Sequence, residues 1–508
     1  VNYPQIGKLE RAEPVAEARR AGGGVLHVPI AGAVHVLNPG VVDTVEQSEV
    51  VPSIFETLTR ATGDAQLVPW LASEVTAEDG GRRYRIRLRD DVRFHDGRRM
   101  SARDVRYSFE RVLQSGGAPR QLFTPMRGAR ALIEGRAADL EGFRIHSAGE
   151  LSIELEEPVA FFPALLSHAG VSIVPEGSDP GQTAGCIGTG PFQVAAFEPG
   201  RRLELERNRS YWRPGYPRSE GLVFTFGASP EDILSGFRAG RFSIASDLFP
   251  ADVEALRREP EYASGYRETP RLITYFAAFN MTRGPLADRA LRQRLVRSVD
   301  VPRLVRQTLG RLAIPAHGLI PPGLIGHDPG TASRADAGAP SGADSPAAAI
   351  ELSAVVNPVF FGRYASVSRE LQRAFAERGF KIRVVNKTMP EWLDAVAQAS
   401  VDVAVGRWSA DYPDTDTFVH ILHSREGLHG RLFNSSEVNR LVERGRSEVS
   451  PAARHSLYRQ VEELIAREAL LLPLFHEQAY RCARPEVEGL SVSFGTPTVA
   501  YEDLRVRG

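Results

Sequence analysis

The sequence predicts an α/β protein of more than one domain, and three observations carry that prediction. From 350 to 407, strand-like and helix-like segments alternate, a pattern that implies parallel strands under helices. Between 82 and 113 the texture differs: a strictly alternating segment is followed by turn residues and then by one amphipathic helix. The chain has 508 residues, more than one core organises, so two or three domains are expected.

Each element follows from its pattern. Residues 1–24 are polar, of mixed charge, and end in Gly22-Gly23-Gly24, which reads as a linker. In 82–89, Tyr84, Ile86 and Leu88 fall on one face and Arg83, Arg85, Arg87 and Arg89 on the other, as in a half-buried antiparallel strand. Asp79-Gly80-Gly81 supplies hairpin-turn chemistry, and His95-Asp96-Gly97 makes a second turn in which His95 is a turn or core histidine. Ser101 caps a helix, with Asp104 completing a variant capping box. Val105, Phe109, Val112 and Leu113 form that helix's buried stripe. Leu272 to Phe279 is an apolar strand, and Leu291 to Leu309 and Arg454 to Ala469 read as long helices. Gly326 to Ala349 is rich in Gly, Ala, Ser, Pro and Asp and predicts a loop without a core. Order returns with a strand at Ile350 to Val356, a helix near Tyr364 to Gly379 and a strand at Lys381 to Val385. A helix from Pro390 to Ala399 and a strand from Val401 to Arg407 complete the alternation.

Composition narrows the function. A net charge of −1 argues against a nucleic-acid partner, which demands a basic footprint. Of 62 basic residues only Lys8, Lys381 and Lys387 are lysine, a bias of base composition rather than of function. No apolar run reaches the ~18 residues that span a bilayer. No signal peptide is visible; the start at Val1 reads as a mature or trimmed chain, or as the C-terminal part of a longer protein. Cys186 and Cys482 are either a disulfide or two buried thiols. Zincin, nucleophile-elbow and P-loop motifs are absent, so no enzyme and no cofactor is expected. Gly188-Thr189-Gly190 lacks a third glycine and precedes Pro191, which fits a tight turn. His476-Glu477 and His420/His423 lack the clustering of a metal site.

Residues 66–113 carry a resemblance. Val68-Pro69-Trp70-Leu71-Ala72, Asp79-Gly80, Tyr84, Leu88-Arg89, Val92, Phe94-His95-Asp96-Gly97, Ser101-Ala102 and Asp104-Val105 follow in the order and spacing of the family 5 extracellular solute-binding proteins. These are the peptide-, dipeptide- and nickel-binding receptors of ABC importers. Leu37-Asn38-Pro39, Ile54 to Leu58, Gly188 to Phe192, Asn208, Tyr211-Trp212, Tyr275 to Asn280 and Trp408 to Asp414 extend the likeness along most of the chain.

The resemblance implies a two-lobed periplasmic-binding-protein fold (type II, cluster C) with an extra domain inserted in the first lobe. Lobe I would combine 25–56, 185–272 and 474–508; the insert would be 57–184; lobe II would be 273–473. It further implies a monomeric receptor, periplasmic or extracellular, either free or anchored as a lipoprotein. Such a receptor captures an oligopeptide or related small solute in a cleft that closes by a hinge, and delivers it to the permease. The alternative is a ligand-sensing domain of a larger regulatory protein.

The resemblance also places the ligand. Asp411 would take the peptide α-amine, Trp408 would pack on a side chain or peptide plane, and backbone near Ser409 would pair with an extended peptide. The arginine positions of the dipeptide and longer-peptide receptors read Pro358 and Val405 here, so a dipeptide-specific site is disfavoured. Arg363 and Arg407 are the substitutes for the carboxylate partner. Longer peptides, a sugar, an opine or a metal chelate remain open.

Overall fold

In the computed structural model, the period-two segment is the strand Arg83–Leu88, with Tyr84, Ile86 and Leu88 buried and Arg85 and Arg87 exposed. The structure describes residues 8–9, 23–42, 44–62, 66–179, 186–330, 349–386 and 388–507. The chain divides into two units, 2–269 with 479–508, and 270–478. Both junctions fall inside long strands, Tyr266–Phe279 and Leu471–Ala483.

In the first unit, Arg83–Leu88 lies between Ala72–Glu78 and Glu150–Glu154 in a five-stranded antiparallel sheet completed by Lys8–Leu9 and Phe143–Ser147. The arginines of the open face meet acids on the flanking strands: Arg83 with Glu78, Arg85 with Glu150 and Arg87 with Glu74. Exposed pairs of this kind add little energy but suit only one register. Asp79, Gly80 and Gly81 all adopt positive φ and turn the chain into this strand. The helix Ala102–Gln114 buries the expected stripe, and Asp104 accepts from Ser101 N at 2.8 Å and Ser101 Oγ at 2.9 Å. Residues 1–24, expected as linker, are corrected in part: Lys8 and Leu9 extend the sheet edge opposite Thr76 and Val75. Edge pairing uses backbone groups and needs no apolar side chain, which is why polarity concealed it. A second, four-stranded sheet runs Val25–Ile30, Gly221–Phe226, Arg202–Arg207, Phe192–Glu198, with its first pair parallel.

One buried carboxylate ties this unit together. Glu56 accepts on Oε1 from Trp70 Nε1 (2.7 Å) and the Tyr211 hydroxyl (2.6 Å). On Oε2 it accepts from Thr189 Oγ1 (2.9 Å) and Trp212 Nε1 (3.1 Å). Burial raises its pKa, and these four donors work against that rise. Gly188 and Gly190 pack on the same backbone: a Cβ at Gly188 would stand 2.0 Å from the Ile54 carbonyl oxygen. His95 seals the turn, accepting from Gly188 N on Nδ1 (3.2 Å) and donating from Nε2 to the Gly190 carbonyl (3.1 Å). Burial holds this imidazole neutral, with its pKa lowered to about 4. Cys186 and Cys482 are both buried, and no disulfide joins them.

In the second unit, Tyr266–Phe279 pairs antiparallel with Val403–Ser409, which in turn runs parallel to Ile350–Val356 and, through it, to Phe380–Val384. The helices Ala365–Glu377 and Met389–Ala397 supply the crossovers. The single helix expected over 291–309 is two, Arg289–Arg297 and Val301–Thr308. Asp300 accepts from Arg303 N at 2.9 Å as an N-cap, and Pro302 follows in the first turn, so the apolar period continues while the helix restarts. Of the low-complexity loop expected at 326–349, residues 331–348 lie outside the described residues.

Replacing Glu56 with alanine strands four donors in the core. The expected cost is at least about 3 kcal/mol, since each unsatisfied buried group costs ~1–3 kcal/mol. Calorimetry or urea unfolding followed at Trp70 and Trp212 reads it; a loss under about 1 kcal/mol would show that the knot is not a main support.

Candidate functional site

The strands 350–356, 380–384 and 403–409 are parallel and so end on the same side of the sheet, where ligands of α/β sheets bind. The 403–409 strand reaches furthest. Its pairing with 266–279 shows which of its groups are spent. Ala410 N donates to the Leu272 carbonyl (2.8 Å), and Asn280 N donates to the Asp402 carbonyl (2.9 Å). In an antiparallel ladder bonded residues alternate, so Gly406 and Trp408 also bond to 266–279, while Val405, Arg407 and Ser409 face the other way.

On that other side, Ile350–Val356 stops opposite Val405. The Val405 carbonyl is filled by Asn357 N (2.9 Å) and Trp392 Nε1 (3.0 Å). Beyond it, the amides and carbonyls of Arg407 and Ser409 have no hydrogen-bond partner among the described residues. The result is a short, open strand edge ending at Asp411. Val405 is buried in the core and Pro358 starts a 3-10 turn, so neither position can present a cation.

The loop after the strand holds three aspartates with different surroundings. Asp414 is fully buried and paired with Arg454 through two bonds, 3.0 and 2.7 Å. Asp416 is fully buried, accepts from the Tyr412 hydroxyl (2.8 Å) and lies 3.7 Å from Arg446. Asp411 has no cation within ion-pair distance among the described residues; its neighbour is the Thr417 hydroxyl at 3.5 Å. Asp411 opens to solvent, yet its carboxyl is crowded by protein. That desolvation outweighs the Thr417 contact and raises its pKa to about 6. Thr417 also accepts from Trp408 Nε1 (3.1 Å), so Trp408 and Asp411 share one hydroxyl.

Arg407 and Arg363, expected near the ligand, both lie beside Glu477. This buried carboxylate lies 3.1 Å from Arg271 Nη1 and 4.0 Å from Arg363 Nη2, and accepts from the Tyr275 hydroxyl at 3.0 Å. Arg407 Nη1 donates to the same hydroxyl (3.1 Å). Burial pushes the Glu477 carboxyl up, but Arg271, Arg363 and Arg407 overrule it and hold it at about 2. Sequence reasoning did not single out Glu477, Arg271, Tyr275 and Thr417 as the neighbours of these residues. The traces in the sequence were Tyr275, at the head of the matching 275–280 stretch, and the His476-Glu477 pair, where His476 Nδ1 meets Thr274 Oγ1 at 2.9 Å.

Glu477 therefore stabilises the fold above its ordinary value of 4.5, and that stability is lost as pH falls towards 2. Glu477→Gln is expected to cost about 3 kcal/mol at pH 7, since each tenfold change in proton affinity is worth ~1.4 kcal/mol. In urea unfolding the gap to wild type narrows below pH 4.5; a gap constant from neutral to strongly acidic pH would refute the cause given.

Residues 66–428 match the family described as "Bacterial extracellular solute-binding proteins, family 5 Middle". The probable di/tripeptide-binding protein 5 of Pseudomonas aeruginosa (strain UCBPP-PA14) is 27% identical over 478 residues, 85% of this chain and 86% of its own length. The periplasmic oligopeptide-binding protein OppA of Escherichia coli (strain K12) is 22% identical over 90% of this chain and 88% of its own. Among solved structures, the clavulanic acid biosynthesis oligopeptide binding protein 2 superposes with a TM-score of 0.82 at 23% identity, covering 97% of this chain and 96% of its own. The α/β fold is thus the type II periplasmic-binding-protein fold of these relatives, and the chain belongs to the family 5 bacterial extracellular solute-binding proteins.

Proposed function

We propose that the chain is the solute receptor of an ABC importer, that it captures short peptides on the edge of the 403–409 strand, and that it hands them to the permease. The observation that carries this reading is the open edge of Arg407 and Ser409 ending at an aspartate without a cation among the described residues. A carboxylate partly stripped of water accepts an ammonium group readily, since the charge-assisted bond replaces hydration already lost; such bonds are worth about 1.5–3 kcal/mol. With its amine on Asp411, an extended peptide runs antiparallel to the strand, past Ser409 and then Arg407. Main-chain pairing of this kind reads no side chain and tolerates many sequences. Trp408 adds apolar contact. Arg407 and Arg363 offer guanidinium groups to the ligand's carboxylate end. The names of the relatives, which are di/tripeptide and oligopeptide binders, support the same class. No step in this reading breaks a bond. It entails export to the periplasm or cell surface, free or lipid-anchored.

Calorimetric titration with an alanine tripeptide and its N-acetylated form tests the reading. Asp411→Asn should weaken the free-amine peptide about ten- to hundredfold and leave the acetylated one unchanged. Because the amine binds the ionised carboxyl, wild-type affinity should be full above pH 6 and fall below it. If a panel of di- to hexapeptides produced no thermal shift, or Asp411→Asn treated both tripeptides alike, peptide capture at this edge would be lost.

A further inference from the structure

The structure assigns Arg454 as a positioning residue that sets the ligand-binding geometry of Asp411 through Asp414. This rests on the amine-binding role proposed for Asp411 and goes beyond it, because Arg454 lies 43 positions further along the chain, on the helix Pro451–Glu468.

Two anchors fix the loop. The first is the Ala410 N bond to the Leu272 carbonyl (2.8 Å). The second is Asp414, whose Oδ1 accepts from Asp416 N (2.8 Å) and whose two oxygens take the Arg454 fork. Only Asp411, Tyr412 and Pro413 lie between these anchors. Among the described residues, Asp411 itself makes no short side-chain contact, its Thr417 neighbour being at 3.5 Å. Its place is therefore inherited from the anchors rather than held by its own bonds.

Arg454 is in turn fully committed. Nε donates to the Gly445 carbonyl (3.0 Å) at the end of the helix Ser436–Ser447, and Nη2 donates to the Tyr458 hydroxyl (2.7 Å). Tyr458 donates to the same Gly445 carbonyl (3.2 Å). Arg454 and Asp414 are 1% and 0% exposed at their side chains, so water cannot substitute for either. A planar guanidinium alone satisfies Asp414, Gly445 and Tyr458 at once; a lysine ammonium keeps the charge but not the fork. The loop is thus locked to two helices by a geometry specific to arginine. The same lock neutralises Asp414, which leaves Asp411 as the loop's carboxylate for a ligand cation.

The test compares Arg454→Lys with wild type and Asp411→Asn on the full chain, titrated with the alanine tripeptide and with its N-acetylated form. The expected result is about a tenfold loss for the free amine and no change for the acetylated peptide. Equal losses for both peptides with Arg454→Lys, while Asp411→Asn still separates them, would reduce Arg454 to a structural role and overturn the assignment. If Asp411→Asn fails to separate them, the amine-binding reading itself falls and takes this inference with it. Should Arg454→Lys not fold, Tyr458→Phe removes one bond to the fork and must show a smaller loss with the same selectivity; none, or an unselective one, overturns the assignment.

Discussion

The burial of Glu56 is the constraint on which the larger unit rests. A carboxylate removed from water is expensive unless its lone pairs are filled. Here they are filled by Trp70, Thr189, Tyr211 and Trp212, the last of them 156 positions away along the chain. Each donor is useful only when the others arrive, so the strand at 67–69, the turn at 188–190 and the segment at 211–212 must converge together. His95 adds a second tie to that turn. Trp70, Thr189, Tyr211 and Trp212 each belong to a sequence word with no chemistry of its own, and all four are partners of one buried acid.

The smaller unit meets the same problem with arginine. Glu477, Asp414 and Asp416 are buried acids, and each has guanidinium within reach: Arg271, Arg454 and Arg446 respectively. Asp411 differs. It follows directly on the open strand edge, it is accessible, and it lacks a cation among the described residues. The contrast within one short loop separates two buried, paired acids from one that is exposed, and it is on this contrast that the proposed amine site rests. The arginines near Glu477 likewise serve as counter-charges.

Local pattern was enough for much of the fold. The alternation at 83–88, the capping box at Ser101 and the strand–helix alternation from 350 onward lie within a few residues of their predicted places, because period and capping are local properties. The helix expected at 291–309 failed where two local signals competed. Its apolar period ran on, but Asp300 and Pro302 restart the helix at lower cost than continuing it. Lys8 and Leu9 were hidden for the opposite reason, since backbone pairing at a sheet edge leaves no mark on side-chain polarity.

By itself the sequence determined the α/β class, the resemblance to a receptor family, and Trp408, Ser409 and Asp411 as a stretch at a strand's end, because these depend on short-range order. It could not tell one arginine from another among 59, nor distinguish Asp411 from Asp414 and Asp416. The tertiary structure decided those. Whether a charge is spent or available depends on what distant elements bring against it, and Glu477, Arg454 and the early end of the 350–356 strand arrive from far along the chain. The same holds for residues 66–113: their order along the chain is legible, but that Trp70 serves a carboxylate at Glu56 is a fact of packing alone.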